Sequence, residues 1–453
     1  MAKYEKYVKY KNSEVEWLGD IPSHWTATAL KRYAIITDGS HHSPKIESEG
    51  FPFVSVTDVG INNINFVDAK KITENDYLRL VKEGCKPAVN DVLLTKDGTI
   101  GRACIVTEDM PAFVILSSLG LITPNTQISS HFLYYYLVSG VNVDQMNSVI
   151  HGSALKRMTI NKINDLIFTF PNFYEQEKIA NFLDYETAKI DSLIEKQQEL
   201  IQLLKEKRQA VISHAVTKGL DPRVKMKDSG VEWLGEVPEH WSATKIKYVA
   251  ELTPKKSELL NSDNRLCTFV PMEKLKLGSL VKDEEKQISE VIGGYTYFKD
   301  GDLLLAKVTP CFENKNMVIA NGLKNGIGFG SSEIYVLRTN YNVNAQFLYY
   351  RLQENQFMEL GTGAMTGAGG LKRVPSEFLN NFEFALPPLS EQIIIFEYLN
   401  QYLIKNEYLI SKAESAIQLM QERRTALISA AVTGKIDVRN WQNPSDTKME
   451  FSA

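Results

Sequence analysis

Five loops carry most of the side chains that could take part in recognition chemistry. Each combines Lys or Arg with Ser, Thr, Asn or His, and four of the five also contain Gly, which lets backbone approach a ligand closely. Lys and Arg bind phosphate, whereas the other side chains reach base edges. The candidate DNA-binding residues are Ser40, His41, His42, Lys45, Lys96, Thr99, Arg102, Lys156 and Arg157 in the first half of the chain and Lys307, Thr309, Asn314, Lys315, Lys372 and Arg373 in the second. One such loop would be ordinary surface, but their recurrence at matched places favours DNA contact.

Motifs for catalysis are missing from the sequence. It contains no GxxxxGK[ST] phosphate loop, no GxGxxG after a strand, no HExxH, CxxC or GxSxG, and no tetrapeptide typical of an amino-methyltransferase. The adjacent pair His41-His42 is a weak metal site because neighbouring side chains diverge and no third ligand is close in sequence. The four cysteines form no ligand cluster. This indicates free thiols that pack as small side chains in a reducing compartment. We therefore expect no metal site and no catalytic residue.

Charge argues against a protein that coats nucleic acid by bulk attraction. The 453 residues carry a formal net charge of −4, and residues 1–171 hold 17 Lys and Arg against 18 Asp and Glu. DNA affinity would then depend on a few loop bases and on a partner. The charged N-terminus does not resemble a signal peptide, and no apolar run is long enough to span a membrane. We expect a cytoplasmic protein.

An internal repeat is the strongest signal in the chain. VEWLGDIPSHW at 15–25 returns as VEWLGEVPEHW at 231–241, an offset of 216 residues. The same offset joins RQAVISHAVTKGLD at 208–221 to RTALISAAVTGKID at 424–437. The interior of each copy, residues 35–90 in the first, is hard to align. An old duplication with drifting loops would blur helices and loops together. Repeated segments that enclose unlike interiors instead favour two halves that carry out the same function on different targets.

Each copy is predicted to be a mixed α/β unit. Short runs separated by turn-rich loops predict strands at 34–37, 53–56, 91–95, 103–106, 113–116 and 166–170 with a helix at 129–138, and then strands at 266–270, 302–306, 316–320 and 333–338 with a helix at 344–353. The tryptophans of the repeated motif, Trp17 and Trp25 in the first copy, are predicted core anchors. The predicted domains are globular units at 1–171 and 222–387, long helices at 172–221 and 388–437, and a polar tail at 438–453.

The two long helices must position these units. Neither stretch contains Gly or Pro in its interior, and apolar residues recur at heptad spacing, which predicts an antiparallel coiled-coil pair within the chain. The predicted helix-pairing residues are Leu183, Ile190, Ile194, Ile201, Leu204 and Val211 in the first helix and Ile410, Ile417, Met420 and Leu427 in the second. Asn172 and Ser390 are expected to cap the two helices. We interpret the pair as a molecular ruler, although a coiled coil that only joins proteins stays possible.

At this point the chain resembles a known family. The repeated VEWLGxxPxHW, the DGSH and GTIGR loops, PPLSEQ before a long helix and RxALIxAAVTGKID are similar to the specificity subunits of type I restriction–modification enzymes. The resemblance covers essentially the whole chain. It implies two target-recognition domains that each read half of a bipartite double-stranded DNA site, and helices that set the spacing and dock two methyltransferase subunits. Restriction subunits would join that core. S-adenosylmethionine, ATP and Mg²⁺ would be bound by the partners and none by this chain.

Two other classes of function stay open on the residues alone. A self-contained DNA methyltransferase or nuclease would need a cofactor pocket, and binding of S-adenosylmethionine by the isolated chain would support it. A scaffold that joins proteins without touching DNA would show no salt-dependent binding of duplex DNA.

Overall fold

The computed structural model describes residues 4–150, 156–257, 259, 263–368 and 370–444. The chain divides into two compact units. Unit 1 comprises residues 1–198 with 415–453, and unit 2 comprises residues 199–414. Each predicted long helix is therefore shared between the units, and the compact units differ from the predicted domains in this respect.

The described residues of unit 1 form eleven short strands and four short helices before the first long helix. The strands are β1 (Tyr10–Asn12), β2 (Asp20–Pro22), β3 (Thr26–Ala29), β4 (Ala34–Asp38), β5 (Phe51–Val54), β6 (Lys70–Ile72), β7 (Val92–Thr95), β8 (Ala103–Ile105), β9 (Val114–Ile115), β10 (Leu119–Pro124) and β11 (Ile167–Phe170). The helices are α1 (Glu74–Lys82), α2 (Ser130–Val138), α3 (Gly140–Val149), α4 (Ile160–Asn164) and the long α5 (Phe173–Lys218), which continues into unit 2.

A four-stranded antiparallel sheet, in the order β4-β10-β7-β8, forms the centre of unit 1. Both faces of β7 are buried because alternate residues point to opposite sides of a strand. Val92 and Leu94 join the core that contains α2, whereas Leu93 joins the core beneath β5. A smaller mixed sheet, β6-β5-β9, covers that second face.

In unit 2, the part of the chain that the structure describes forms sixteen strands and five short helices. The strands are β12 (Met226–Asp228), β13 (Glu236–Pro238), β14 (Ser242–Lys245), β15 (Ala250–Leu252), β16 (Leu266–Val270), β17 (Leu275–Lys276), β18 (Ser279–Leu280), β19 (Glu285–Gln287), β20 (Thr296–Lys299), β21 (Leu303–Ala306), β22 (Met317–Ile319), β23 (Ile327–Gly330), β24 (Ile334–Thr339), β25 (Thr366–Ala368), β26 (Leu371–Arg373) and β27 (Glu383–Leu386). The helices are α6 (Ile246–Val249), α7 (Ile288–Val291), α8 (Ala345–Arg351), α9 (Asn355–Gly363), α10 (Ser376–Asn381) and the long α11 (Leu389–Val432), which ends in unit 1.

The two units share one topology. This holds also for their interiors, whose sequences are hard to align. The sheet β15-β24-β21-β22 repeats β4-β10-β7-β8, and β14-β27 repeats the pair β3-β11. In the interior, β19-β16-β23 repeats β6-β5-β9, with one parallel pair in each. Unit 2 adds β20 to this sheet and the hairpin β17-β18. It also contains the hairpin β25-β26, whose counterpart in unit 1 falls largely outside the described residues. The two interiors therefore differ in side chains and insertions but share a strand order. The predicted mixed α/β class is confirmed.

The two helices begin in different ways. The Glu175 amide donates to Asn172 Oδ1 at 2.9 Å, so Asn172 caps α5 as predicted. The expected cap at Ser390 is wrong, because α11 already begins at Leu389 and the Glu391 amide donates to the Pro388 carbonyl at 2.9 Å. The Pro388 carbonyl also accepts from the Gln392 amide at 3.1 Å, so neither amide needs a side-chain cap.

Within each unit the long helices pack antiparallel. In unit 1, Arg424 Nε is 2.9 Å from Asp191 Oδ1, and Trp441 beyond α11 packs on Phe182 further towards the start of α5. In unit 2, Asn406 Nδ2 donates to the Leu204 carbonyl at 3.2 Å. Asn406 is buried, which fits a polar residue that specifies helix register.

The predicted helix-pairing residues fall into three groups. Leu183, Ile190 and Leu427 are buried in the main core of unit 1, with Ile194 and Met420 packed against it. Val211 packs against the core of unit 2. Ile201, Leu204, Ile410 and Ile417 are half-buried. A coiled-coil pair stays a prediction for the full length of the helices.

Two expectations are refined by the structure. The described part of the predicted polar tail, 438–444, contains apolar contacts: Val438 is buried, and the Trp441 ring contacts Phe182 and Tyr185. Trp25 and Trp241 are fully buried anchors, but Trp17 is 45% exposed. Its counterpart Trp233 instead stacks on Phe382 at 4.7 Å.

Candidate nucleic-acid interface

In unit 1 the loop that follows β7 lies beside the predicted basic segment. The Met158 amide donates to the Lys96 carbonyl at 2.8 Å, and the Gly98 amide donates to the Lys156 carbonyl at 3.0 Å. Asp97 and Arg157 form an isolated antiparallel bridge between these contacts. Gly98 has φ +68°, a conformation that favours glycine. Two segments far apart in sequence thus form one surface, here called the basic bridge of unit 1 (residues 96–102 with 156–158).

Unit 2 contains the same construction after β21. The Val374 amide donates to the Lys307 carbonyl at 2.8 Å, and the Thr309 amide donates to the Lys372 carbonyl at 3.0 Å. Val308 and Arg373 form the matching isolated bridge. The basic bridge of unit 2 (residues 307–309 with 372–374) therefore places Lys372 and Arg373 as unit 1 places Lys156 and Arg157.

Six predicted residues are exposed on these bridges and can reach a ligand. They are Thr99, Arg102, Lys156, Arg157, Lys372 and Arg373. Arg157 and Arg373, which occupy matching places in the two bridges, each face a carboxylate. Arg157 Nε is 3.3 Å from Asp97 Oδ1, and Arg373 donates from Nε and Nη2 to Glu333 at 2.9 and 2.8 Å.

The ion pairs orient the guanidinium groups and partly neutralise them. Hydrogen bonds from Arg373 lower the pKa of Glu333, so this carboxylate stays ionised at neutral pH. The Arg373 side chain is 47% exposed, and an exposed pair of this kind contributes at most about 1 kcal/mol. A phosphate can therefore compete with the carboxylate for the arginine.

Two predicted DNA contacts of unit 1 are buried instead. The Lys96 side chain is 2% exposed, and its Nζ lies 3.4 Å from Asp38 Oδ2, which also faces His41 Nε2 at 3.4 Å. Ser40 is buried, and its hydroxyl donates to the His42 carbonyl at 2.9 Å. Direct contact by Lys96 or Ser40 is thus contradicted. Both residues hold the loop that exposes His41 and His42.

Lys315 is a third correction. Its ammonium group donates to Gln209 Oε1, the Gln353 carbonyl and Asn355 Oδ1 at 2.9, 2.8 and 3.0 Å. Burial lowers the pKa of Lys315. This lysine fixes its loop to α5 within unit 2, and it has no free donor for DNA.

The remaining predicted residues are less enclosed than Lys96, Ser40 and Lys315. Lys45 is exposed and pairs with Glu47 at 2.8 Å. Lys307 is half-buried with its Nζ 5.2 Å from the centre of the Tyr335 ring. The Thr309 hydroxyl donates to the Gly370 carbonyl at 2.8 Å, and Asn314 is exposed. The predicted loop at 151–153 lies outside the described residues.

In each unit, the His-Trp of the repeated motif binds a glutamate of the long helix, and we call this contact an anchor. Sequence reasoning interpreted the tryptophans only as core residues. In unit 1, Trp25 Nε1 donates to Glu175 Oε1 at 3.1 Å, and His24 Nε2 is 2.9 Å from Glu175 Oε2. In unit 2, Trp241 Nε1 and His240 Nε2 contact Glu391 Oε2 at 3.2 and 2.7 Å. The recurrence of His-Trp and of Glu at one fixed separation was the signal that could have revealed this contact.

The neighbouring glutamine completes each anchor. Gln176 Oε1 accepts from the Ser129 amide at 2.9 Å, and Gln392 Oε1 accepts from the Asn344 amide at 2.7 Å. Each glutamine also donates to the proline carbonyl before its helix, at 3.0 and 2.9 Å. The glutamine of each pair thus connects the start of its long helix to the start of α2 or α8, while the glutamate binds the His-Trp motif.

The described residues offer no cluster of three or more His, Cys, Asp or Glu that could hold a metal ion. In the part of the chain that the structure describes, no helix is long and apolar enough to cross a membrane.

A family model described as "Type I restriction modification DNA specificity domain" matches residues 42–203 and again 238–417. The chain belongs to this family. The two matched stretches fall on the two repeats, so the family resemblance predicted from the sequence is confirmed.

Curated relatives agree with the assignment. The chain is 32% identical over 197 residues to the EcoEI specificity subunit of Escherichia coli, covering 43% of this chain and 33% of the relative. It is 38% identical over 160 residues to the EcoAI specificity subunit of Escherichia coli, covering 35% and 27%. These alignments thus span about a third of each relative's length. All of them are named as specificity subunits, in agreement with the prediction of a recognition subunit rather than an enzyme.

Solved structures share the fold. One, described as the structural basis of complex assembly and conformational transition of the type I R-M system, has a TM-score of 0.64 at 16% identity and covers 92% of this chain and 99% of its own. The HsdS subunit from Thermoanaerobacter tengcongensis has a TM-score of 0.53 at 15% identity and covers 92% and 98%.

Proposed function

We propose that this chain is the DNA-recognition subunit of a type I restriction–modification complex and that each unit reads one half of a bipartite target. The observation that carries the proposal is the basic bridge, which recurs in both units at the same strand end. Exposed Lys and Arg contact phosphates and fix the register on the duplex. Loops with different side chains in the two units then read different bases.

The long helices set the distance between the half-sites in this proposal. α5 has 46 residues and α11 has 44, which at about 1.5 Å per residue gives each a length of about 65–70 Å. Neither helix is interrupted, so its length is a fixed quantity. Inserting the same number of heptads in both helices should lengthen the gap and leave the two half-sites unchanged.

The same helices dock two methyltransferase subunits. α11 exposes a series of large apolar side chains in unit 2 that a monomeric surface helix would bury or replace, namely Ile393, Ile394, Tyr398, Ile404, Tyr408 and Leu409. α5 exposes Leu193, Leu200 and Leu203. We assign S-adenosylmethionine, ATP and Mg²⁺ to the partner subunits, and restriction subunits to the outside of this core. We place the complex in the cytoplasm.

The decisive experiment maps methylated sites in cells that carry this chain. Exchange of residues 26–165 for those of a relative should change one half of the methylated motif and leave the other half and the gap unchanged. A motif that persists unaltered would disprove the assignment of unit 1. Titration of duplex DNA into the complex at two salt concentrations should give weaker binding at high salt, whereas a scaffold without DNA contact would give no slope.

A further inference from the structure

An open pocket of about 450 Å³ lies beside the start of α5 in unit 1. Its wall includes Asp91 just before β7, Thr123 in β10, and Phe173 and Glu177 in the first turns of α5. Asp91 is 4% exposed, and burial raises its pKa. Among the described residues that line the pocket there is no Lys or Arg. Two carboxylates and an exposed phenyl ring are a suitable environment for a cation.

Unit 2 shows what the buried carboxylate binds. The Ala88 amide donates to Asp91 Oδ2 at 2.7 Å, and in unit 2 the Lys299 amide donates to Asp302 Oδ2 at 2.8 Å. The two aspartates thus occupy the same turn before equivalent strands. Arg338 then donates from Nε and Nη2 to the two oxygens of Asp302, both at 2.8 Å. This paired geometry is the strong form of an arginine–carboxylate contact.

The position of Arg338 corresponds to that of Thr123. Ile122 pairs with Val92 across the sheet of unit 1, and Leu337 pairs with Leu303 across the sheet of unit 2. The next residue in each strand is Thr123 or Arg338, so both face the aspartate before the neighbouring strand. Unit 1 therefore has the space and a carboxylate that is hydrogen-bonded by the Thr123 side chain, but no described residue of the pocket wall supplies a guanidinium group.

The first turns of the helices differ in the complementary direction. Glu177 lines the pocket of unit 1, and the residue 216 positions later is Ile393. The unit that supplies its own arginine thus has an apolar residue at this place, and the unit without one has a second acid. The missing arginine and the second acid both favour a cation in the pocket of unit 1.

We propose that this pocket binds the guanidinium group of an arginine side chain from the protein that docks at the start of α5. The ligand chemistry follows from the pocket and from unit 2 alone, whereas the docked protein rests on the proposed function. The arginine takes the place that Arg338 takes in unit 2, with its fork on Asp91, its plane near Phe173 and Glu177 as a second acceptor.

The ligand is tested with N-acetyl-arginine amide and the full chain, by calorimetric titration. The wild-type chain should bind the probe, and Asp91→Asn should weaken binding about tenfold or more because the charged fork is lost. Thr123→Arg fills the pocket from within and should abolish binding while raising the melting temperature, which shows that the variant folds. Arg338→Thr is the matched control and should create a second site. Equal titrations for wild type and Thr123→Arg would overturn the proposal.

The source of the arginine is tested with the methyltransferase subunit. Thr123→Arg and Asp91→Asn should both weaken its association with the chain, measured by sedimentation, and the same concentration of Arg338→Thr chain should associate normally. If both unit 1 variants lose the probe but keep full association, the assignment to a partner side chain is wrong and the ligand is a free guanidinium compound. DNA methylation mapping remains an independent readout of the proposed function.

Discussion

The two units hold their long helices with the same residues, but the two anchors differ in burial. In unit 1 the Glu175 side chain is 2% exposed and accepts hydrogen bonds from Trp25 and from the Tyr7 hydroxyl, at 3.1 and 2.5 Å. In unit 2 the Glu391 side chain is 27% exposed. Arg223 stands where Tyr7 would be and pairs with Asp221 instead. Identical motif residues therefore contribute different amounts of stability, because burial decides the cost of an unpaired partner.

Substitution of the two anchors should show this difference most strongly. Glu175→Ala leaves buried donors of Tyr7 and Trp25 without an acceptor, so we expect unit 1 to lose about 3–5 kcal/mol. Glu391→Ala should cost unit 2 about 1–2 kcal/mol because water can replace the carboxylate. Hydrogen–deuterium exchange by mass spectrometry measures each unit separately. Equal losses in the two units would contradict the role of burial.

Sequence reasoning found the parts of this fold that repeat locally. Strands such as β7 and β21 were predicted from continuous apolar runs, and the long helices from the absence of Gly and Pro. The shared topology of the interiors was missed because β5 (FPFV) and β16 (LCTFV) have only their last two residues in common, which is too short a match to align them. Strand order depends on which distant segment pairs with which, and a single sequence holds no direct record of it.

The same reason limits the candidate site. The Lys-Arg segments and the loops after the strands were both singled out, and the structure brings them together in each unit. Residue type could not tell that Lys96 is enclosed with Asp38 or that Lys315 turns towards α5. The direction of a long flexible side chain depends on acceptors supplied from elsewhere in the fold, so only the three-dimensional contacts separate structural lysines from exposed ones.

The paired aspartates should respond with opposite sign. Asp302→Asn breaks the buried pair with Arg338, and we expect a loss of about 2–3 kcal/mol in unit 2. Asp91→Asn should leave unit 1 unchanged or slightly more stable at neutral pH, since burial raises the pKa of Asp91 and so disfavours its charged form in the fold. Both variants are compared by hydrogen–deuterium exchange at the same pH.

The pH dependence of Asp91→Asn follows from that raised pKa. The wild-type carboxyl is protonated in acid, where the fold tolerates it, and its contribution is lost as the pH rises through its folded pKa. The advantage of the amide should therefore be absent at low pH and complete at neutral pH. An advantage that grows towards acid would reverse the sign and contradict a raised pKa.

The two basic bridges should contribute similarly to DNA binding. Lys156→Ala and Lys372→Ala each remove an exposed cation, and each should lower the slope of log affinity against log salt by about one and weaken binding about tenfold. The assay is fluorescence anisotropy with the assembled complex and its own target. Lys31→Ala is the control because Lys31 is an exposed lysine that pairs with Asp165 and is not among the candidate DNA-binding residues. A control that loses as much as the bridge variants would disprove the assignment.

The smallest effect is expected where the units differ most in chemistry. Arg351 is fully buried and pairs with Glu354 at 3.2 Å, burial lowers its pKa to about 10, and the corresponding residue of unit 1 is the buried Tyr136. Its Nε and Nη2 lack hydrogen-bond partners among the described residues.

Arg351→Tyr should therefore change the stability of unit 2 by less than about 1 kcal/mol, since an incompletely bonded buried ion pair offers little over a packed ring. Tyr136 stacks on Phe168 at 4.1 Å, and Phe384 is available to the new ring at the matching place in unit 2. Glu354 keeps the Gln356 and Phe357 amides as donors, at 3.0 and 3.3 Å, so its charge is not stranded. A loss of several kcal/mol in urea denaturation, with Tyr136→Phe as the matched control, would show instead that the guanidinium is indispensable to the packing of α8.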